Sequence, residues 1–298
     1  GAGGAVVRQL AARGTPVRAV TRSGRGDWPE EVESVRADVA DPDASRAACR
    51  GAAVVYHCAN VPYPRWAAVL PGVLEGAIAG AEAAGATLVY CDNLYMYGPN
   101  DAPIREDSPQ ETPSAKGRLR ARLAERLMEA HAAGRVRAAI GRGSDFFGPG
   151  AVNTMAGQLV FPAVTAGGKA RWIGRLDQPH SHNFVADFAR GLVTLGESPR
   201  AAGEVWHIPA NGSPTGRQFI EMAFAAAGTE PRLGVYPRWM MRLVGAFSRN
   251  MREIVDVLYQ FEQPFVVDST KFTTTFGELG LTPMREAVAR TVDWQKTR

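Results

Sequence analysis

Strand-like and helix-like segments alternate along the first half of this chain, and that alternation constrains the fold more than any other feature. Apolar and amphipathic stretches typical of helices lie between the strand-like runs, and several end at glycines such as Gly14, Gly51 and Gly134. Strands separated by helices of this length pair in parallel through right-handed crossovers. The predicted fold class is therefore α/β, a doubly wound parallel sheet. The strand-like runs are 16–22, 32–39, 52–59, 86–93 and 136–142.

The alternation stops near Gly143, and the second half of the chain has a different pattern. One more strand is predicted over 203–210 and one more helix over 215–228, whereas 229–298 is mixed and rich in proline and aromatic residues. We therefore predict two domains. A nucleotide-binding domain would comprise residues 1–145 and about 182–212, and a substrate-binding lobe would comprise about 146–181 and 213–298.

Composition excludes several classes of protein. The 298 residues carry a net charge of +4, which is well below the basic excess typical of nucleic-acid-binding domains. The three cysteines, Cys49, Cys58 and Cys91, have no metal-binding spacing, and their odd number argues against a disulfide framework. We expect no nucleic-acid partner, no metal site and a reducing, cytoplasmic environment.

The sequence also predicts no membrane partner. No apolar run reaches the roughly 18 residues that a spanning helix needs. The stretch 67–86 comes closest, but Glu75 and Glu82 interrupt it. The first residues lack the basic and apolar regions of a signal peptide.

The chain begins with "GAGGAVVRQL", which matches the end of a glycine-rich turn that leads into a helix. In a doubly wound sheet this turn follows the first strand and binds a pyrophosphate, because glycines allow close approach and the helix N-terminus offers N–H groups. Gly3 is the expected last glycine of the turn and Gly1 a loop position. We expect the first strand to lie upstream of Gly1, although a glycine-rich terminus before a helix would give the same letters.

The residues after the strand 16–22 favour NADP over NAD. An acid at this place would bind the ribose hydroxyls of NAD, whereas basic residues suit the additional phosphate of NADP. The sequence has Arg22, Ser23 and Arg25 here, and no acid before Asp27. A solvated arginine at a strand end is the alternative. In "ADV", Asp38 is expected to accept a hydrogen bond from the adenine amino group, next to Val39.

Several motifs follow the glycine-rich turn in a specific order: "TRSG", "ADVAD", "VVYHCAN", "LVYCDNLYMYGP", "TPSAKGRLR", "GRGSDFFGPG", "HNFVADFARGL" and "GEVWHIP". This ordered set resembles the short-chain dehydrogenase/reductase superfamily, in its extended, epimerase/dehydratase-like branch. The resemblance covers nearly the whole chain and implies a Rossmann-type fold, an NAD(P) cofactor and further cofactor contacts at Cys58, Ala59 and Asn60.

The chain departs from this family at the residues on which its chemistry depends. The family uses a serine or threonine after the fifth strand and a Tyr-x-x-x-Lys pair on the next helix. Asn93 occupies the place of the hydroxyl residue, Lys116 that of the tyrosine and Arg120 that of the lysine. None of the seven tyrosines has a lysine four residues later.

The replacements retain part of the usual chemistry. Arg120 can hold a ribose or a phosphate but cannot act as a base, and Asn93 can donate a hydrogen bond to a carbonyl. Near Arg120 and a nicotinamide, we expect the pKa of Lys116 to fall, which would allow acid catalysis or Schiff-base formation. A solvated or merely cofactor-contacting Lys116 is the alternative.

Other side chains are candidates for the substrate pocket. Tyr95 is a possible proton donor, and the resemblance places Tyr97 beside the substrate. Phe146 and Phe147 are expected to form an apolar wall, and His180 and His182 to contact substrate or to make structural hydrogen bonds.

These observations predict an NAD(P)-binding oxidoreductase-like protein that acts on a small carbonyl or hydroxyl compound without the usual tyrosine. One alternative is a cofactor-binding sensor without turnover, and another is a lyase or isomerase that uses Lys116. The resemblance also implies a homodimer formed through the helices near 66–85 and 116–133.

Overall fold

The computed structural model describes residues 1–100 and 103–298, without the side chains of 242, 245, 247 and 249–251. Strands and helices alternate over the first half, as predicted, apart from the strands 18–21 and 33–36, which no helix separates. The strands there are β1 (Arg18–Thr21), β2 (Glu33–Arg36), β3 (Val54–His57), β4 (Thr87–Asp92) and β5 (Arg137–Arg142). The helices are α1 (Ala2–Ala11), α2 (Pro42–Cys49), α3 (Trp66–Ala84) and α4 (Ala115–Ala132).

The second half is richer in short elements than the sequence pattern indicates. Its strands are β6 (Asp145–Phe147), β7 (Ala170–Ile173), β8 (His182–Phe184), β9 (Val205–His207) and β10 (Leu233–Tyr236). Its helices are α5 (Met155–Leu159), α6 (Phe161–Thr165), α7 (Val185–Glu197), α8 (Gly216–Ala227), α9 (Arg238–Phe247), α10 (Arg249–Val255), α11 (Thr270–Phe276) and α12 (Met284–Lys296).

All named strand pairs are parallel. The main sheet has the order β3-β4-β5-β9, and β1 pairs with β2 in a separate two-stranded sheet. Two further pairs, β6 with β8 and β7 with β10, lie in the second half. The α/β class with parallel strands is confirmed, while the strand predicted over 203–210 is shorter than expected.

Helices cover both faces of the main sheet, which is the arrangement of a doubly wound fold. Along β4, Leu88 and Tyr90 pack in the apolar cluster of α3 and α4, whereas Val89 packs with α1 and α7. Along β5, Ile140 and Ala139 divide in the same way. Successive strand residues point to opposite faces, so both faces must be apolar and both are covered.

A separate apolar cluster lies in the second half and includes Phe147, Trp172, Phe219 and Val292. The expected substrate-binding lobe would have its core here. The boundaries of the two domains stay a prediction.

One helix among the described residues, counted from Tyr63 to Ala84, is long and apolar enough to cross a membrane by length and composition, with a mean hydropathy of 1.3. Half of it is buried, and α3 packs against α2 and α4. Gly76 allows the segment before α2 to approach α3, because a Cβ there would lie 1.7 Å from the carbonyl oxygen of Val39. The helix therefore has the packing of a core element.

Candidate active site

Lys116 lies in the first turn of α4, and its ammonium group is held by two carboxylates from the other end of the chain. The side chain is only 5% exposed, forms an ion pair with Glu253 and lies 3.4 Å from the Oδ2 atom of Asp256. Ser114 begins the helix and donates a 2.5 Å hydrogen bond to the same Oδ2. Lys116 is thus neither solvated nor free.

Asp256 also binds the N-terminus of α4 directly. It accepts hydrogen bonds from the main-chain nitrogens of Ala115, at 3.2 Å, and Lys116, at 3.3 Å. Burial acts to raise the pKa of Asp256, but the hydrogen bonds from Ser114 and the Lys116 nitrogen, together with the Lys116 charge, lower it overall. The carboxylate therefore fastens the segment after α10 to the start of the candidate catalytic helix.

Arg120, one turn further along α4, faces a buried aspartate at the end of β4. Its Nε atom donates a 2.6 Å hydrogen bond to Oδ1 of Asp92, and its Nη2 atom donates to the carbonyl of Cys91 at 3.1 Å. Burial opposes the charge of Arg120, but the Asp92 carboxylate outweighs it, so the pKa of Arg120 is raised. The hydrogen bonds of Arg120 go to the protein itself, and its expected contact with a cofactor ribose stays a prediction.

Asp92 binds a second arginine from the neighbouring strand. Arg142, at the end of β5, donates from Nε to Oδ2 of Asp92 at 3.1 Å and from Nη1 to the hydroxyl of Tyr97 at 2.7 Å. The Tyr97 hydroxyl also lies 3.0 Å from Nε2 of His207. Tyr97 is fully buried. The structure therefore places it in a structural network, and its expected position beside the substrate stays a prediction.

Two tyrosine hydroxyls meet beside Lys116. The hydroxyls of Tyr63, which follows β3, and Tyr95, which follows β4, are 2.6 Å apart. The ammonium of Lys116 lies 5.1 Å from the centre of the Tyr63 ring. Burial raises the pKa of Tyr63 to about 12 and that of Tyr95 well above its usual range. Both hydroxyls are therefore protonated at neutral pH.

A glycine in α4 allows this helix to approach the loop that carries Tyr95. A Cβ at Gly117 would lie 2.0 Å from the carbonyl oxygen of Tyr95, so only glycine allows this contact. Asn93 fixes the loop from the other side, because its Oδ1 atom accepts a hydrogen bond from the Tyr95 nitrogen at 3.1 Å. Asn93 is half-buried at the end of β4, and its expected role as a donor to substrate stays a prediction.

His180 forms a dyad with Asp145, the first residue of β6. Its Nε2 atom lies 2.5 Å from Oδ2 of Asp145, and its Nδ1 atom lies 3.1 Å from the carbonyl of Gln260. Both ring nitrogens thus face oxygen acceptors. Both nitrogens are therefore occupied by protein groups, and the expected contact of His180 with substrate stays a prediction.

His182, Phe146 and Phe147 occupy apolar surroundings. His182 is fully buried and stacks on Phe219, and neither of its nitrogens has a partner among the described residues. Burial lowers the pKa of His182 well below its usual range. Phe147 is a core residue of the second apolar cluster, and Phe146 packs against Phe188. Substrate contacts for these residues stay predictions.

The other residues predicted to bind the cofactor lie at the N-terminus of α1 and after the ends of strands β1, β2 and β3. A Cβ at Gly3 would lie 3.0 Å from the Cβ of Cys58, whereas a Cβ at Gly1 would lie 4.0 Å from its nearest neighbour, the carbonyl oxygen of Gly150. The first turn of α1 contains no acidic residue. Ala59 and Asn60, next to Cys58, are exposed.

The expected phosphate-binding residues are open to solvent. Arg22 and Ser23 are exposed after β1. Asp38 is also exposed and accepts a 3.1 Å hydrogen bond from the nitrogen of Ala40, while the carbonyl of Val39 packs on α3. The indole nitrogen of Trp28, whose ring packs near Gly4 and Gly26, is buried without a partner among the described residues.

Sequence reasoning missed several members of the site. Tyr63 and Asp145 follow strand ends, where polar side chains of parallel sheets converge, so that position could have identified them. Glu253 and Asp256 offered no such signal, because they approach Lys116 only through the fold.

Comparisons with known proteins agree with this fold. The family model described as "NAD dependent epimerase/dehydratase family" matches residues 2–208. The uncharacterized protein y4nL of Sinorhizobium fredii (strain NBRC 101917 / NGR234) is 24% identical, over 97% of this chain and 85% of that protein.

Two solved structures are similar over almost the full length. The UDP-glucose 4-epimerase of Thermus thermophilus, solved with NAD, has a TM-score of 0.78 at 16% identity and covers 99% of this chain and 96% of its own. The dTDP-glucose 4,6-dehydratase DesIV of Streptomyces venezuelae, a double mutant with NAD bound, has a TM-score of 0.73 at 19% identity and covers 98% and 94%. With a glycine-rich helix start, a doubly wound parallel sheet and a family match over most of its length, the chain belongs to the NAD dependent epimerase/dehydratase family.

Proposed function

We propose that this protein is a nicotinamide-dependent oxidoreductase of the epimerase/dehydratase type, with Tyr95 and Tyr63 together in the role of the usual single tyrosine. Its substrate would be a small molecule with a carbonyl or hydroxyl group. The observation that carries the proposal is the 2.6 Å contact between the two hydroxyls beside Lys116. The pair would supply the proton that the usual tyrosine supplies in the family.

The protonated pair favours carbonyl reduction. Because the pKa values of both tyrosines are raised by burial, one hydroxyl can donate to an oxygen that becomes negative, and the other can stabilise the resulting phenolate. The ammonium of Lys116, over the Tyr63 ring, favours that negative charge.

The residues at the start of α1 fit a dinucleotide. The helix N-terminus offers free N–H groups without a competing acid, and the buried indole nitrogen of Trp28 lacks a partner among the described residues. A bound nicotinamide would supply or accept the hydride. We favour NADP, since Arg22 and Arg25 are exposed after β1 and Asp27 is the first acid.

The ion pairs of the site favour a second candidate, a cofactor-binding protein without turnover. Lys116 is bound by Glu253 and Asp256, and Arg120 by Asp92. To act as a nucleophile in a lyase, Lys116 would have to leave both carboxylates and lose its proton. That requirement weighs against the lyase or isomerase alternative. A cytoplasmic homodimer that pairs through α3 and α4 remains part of the proposal.

Fluorescence titration with NADPH and NADH tests the cofactor part. We expect tighter binding of NADPH, and loss of that preference in Arg22→Ala. Equal affinities, or a preference for NADH, would contradict the choice of NADP.

Turnover by Tyr95→Phe tests the chemical part. With NADPH and a panel of aldehydes, ketones and nucleotide sugars, we expect turnover to fall by about 10²- to 10⁴-fold while NADPH binding is unchanged. Tyr236→Phe, on β10 and outside the site, serves as the matched control. Full turnover in Tyr95→Phe would exclude the tyrosine pair, and NADPH binding with no turnover of any compound in the parent chain would favour the second candidate.

A further inference from the structure

The exposed apolar side chains of this protein are concentrated in one short segment. Among the described side chains, the large apolar residues that are exposed all lie within 235–244: Val235, Trp239, Leu243 and Val244. Trp239 is 68% exposed and Leu243 58% exposed. These two are four residues apart, so they lie on one face of α9. We call the face formed by Trp239 and Leu243 the apolar patch; exposed apolar faces mark interaction surfaces.

The same segment is basic. Between Glu230 and Glu253 the sequence contains no acidic residue and five arginines: Arg232, Arg238, Arg242, Arg249 and Arg252. Arg232 and Arg238 are exposed, and Arg238 is paired with Glu262 at 3.1 Å. In a protein with a net charge of only +4, arginine is thus concentrated in the stretch of sequence that contains these apolar residues.

We propose that α9 docks on the surface of a membrane that contains anionic lipids. A helix with tryptophan and leucine on one face, within an arginine-rich stretch of sequence, matches the properties of helices that lie in the lipid–water interface. Anionic headgroups attract such arginines, and tryptophan favours the interface itself. With ten residues, α9 is about 15 Å long. It is therefore too short to span the bilayer.

Charge favours an anionic membrane, rather than a second copy of the chain, as the binding partner of α9. A two-fold pair formed through α9 would place the arginine-rich segment against its own copy, whereas an anionic lipid surface complements it. Binding to a membrane surface departs from the expectation of no membrane partner, because that expectation considered only a spanning helix and a signal peptide. It does not depend on the proposed enzymatic function.

Vesicle co-sedimentation of the full chain tests the proposal. We expect binding to vesicles of phosphatidylcholine and phosphatidylglycerol in equal amounts, much weaker binding to phosphatidylcholine alone, and a decrease as salt is raised. Trp239→Ala/Leu243→Ala should partition at least about tenfold less, because two inserted apolar side chains are lost. Arg232→Glu should also weaken binding, whereas Arg285→Glu, exposed on α12, should not.

Insertion itself is measured by brominated lipids, which quench tryptophan fluorescence on contact. We expect quenching in the parent chain that is mostly lost in Trp239→Phe, with circular dichroism unchanged. Equal binding to both vesicle types, or retained quenching in Trp239→Phe, would overturn the proposal. A dimer in light scattering that Trp239→Ala/Leu243→Ala dissociates would overturn it too, because the patch would then be an interface between copies.

Discussion

Replacing Asp92 with asparagine should destabilise this protein strongly, although the two side chains have nearly the same shape. The Asp92 side chain is fully buried, between the guanidinium groups of Arg120 and Arg142. Its Oδ1 atom accepts hydrogen bonds from Arg120 and from the Asn93 nitrogen, and Oδ2 accepts from Arg142. Because every partner is a donor, the amide nitrogen of asparagine would face a donor in either orientation.

The magnitude follows from the loss of the carboxylate that lies between two buried cations, Arg120 and Arg142. Removing one partner of a buried ion pair costs about 3–5 kcal/mol. For 298 residues, the unfolding entropy is about 0.6 kcal/mol/K near 60 °C. We therefore expect the Tm of Asp92→Asn to fall by about 5–8 °C.

Differential scanning calorimetry at neutral pH measures this change. Asp177→Asn provides the control, since Asp177 also pairs with an arginine, Arg175, but both side chains are more than half exposed. We expect no measurable shift there, because exposed ion pairs contribute little. A fall of less than about 2 °C in Asp92→Asn, or equal shifts in the two variants, would refute the argument that burial makes the difference.

Two further predictions concern the core. Burial and the nearby Arg120 lower the pKa of His57 to about 4, so the unfolded chain takes up a proton first as pH falls. The contribution of His57 to the free energy of unfolding should thus be constant above about pH 6.5 and should decline towards pH 4. Urea unfolding at pH 7 and pH 5 measures that decline, which should be about 2 kcal/mol smaller in His57→Phe than in the parent chain. Equal declines in the two proteins would contradict the prediction. Gly76→Ala should lower the free energy of unfolding by at least about 1–3 kcal/mol, because its Cβ would lie 1.7 Å from the carbonyl oxygen of Val39. The control Gly72→Ala, whose Cβ would have its nearest contact at 3.9 Å, should be neutral or stabilising. Equal Tm values for the two variants would refute the close contact at Gly76.

Local pattern explains why the first half could be predicted. Strand residues such as Leu88 and Val89 are apolar because each faces a helix layer, and the helices end where glycines such as Gly134 adopt a left-handed φ of 72°. These requirements act within a few residues, so they are visible in the order of letters. The second half has shorter elements, whose apolar residues meet only in the tertiary structure.

The buried cations of the site show the boundary between sequence and structure most clearly. The sequence alone determined the α/β class and the glycine-rich helix start, and it predicted that Lys116 and Arg120 stand where the family has tyrosine and lysine. Only the tertiary structure decided what these cations bind, because Asp256 is 140 residues from Lys116 and Asp92 is 28 from Arg120. Side-chain type and spacing specify a local element, but the charge that a buried cation requires can come from anywhere along the chain.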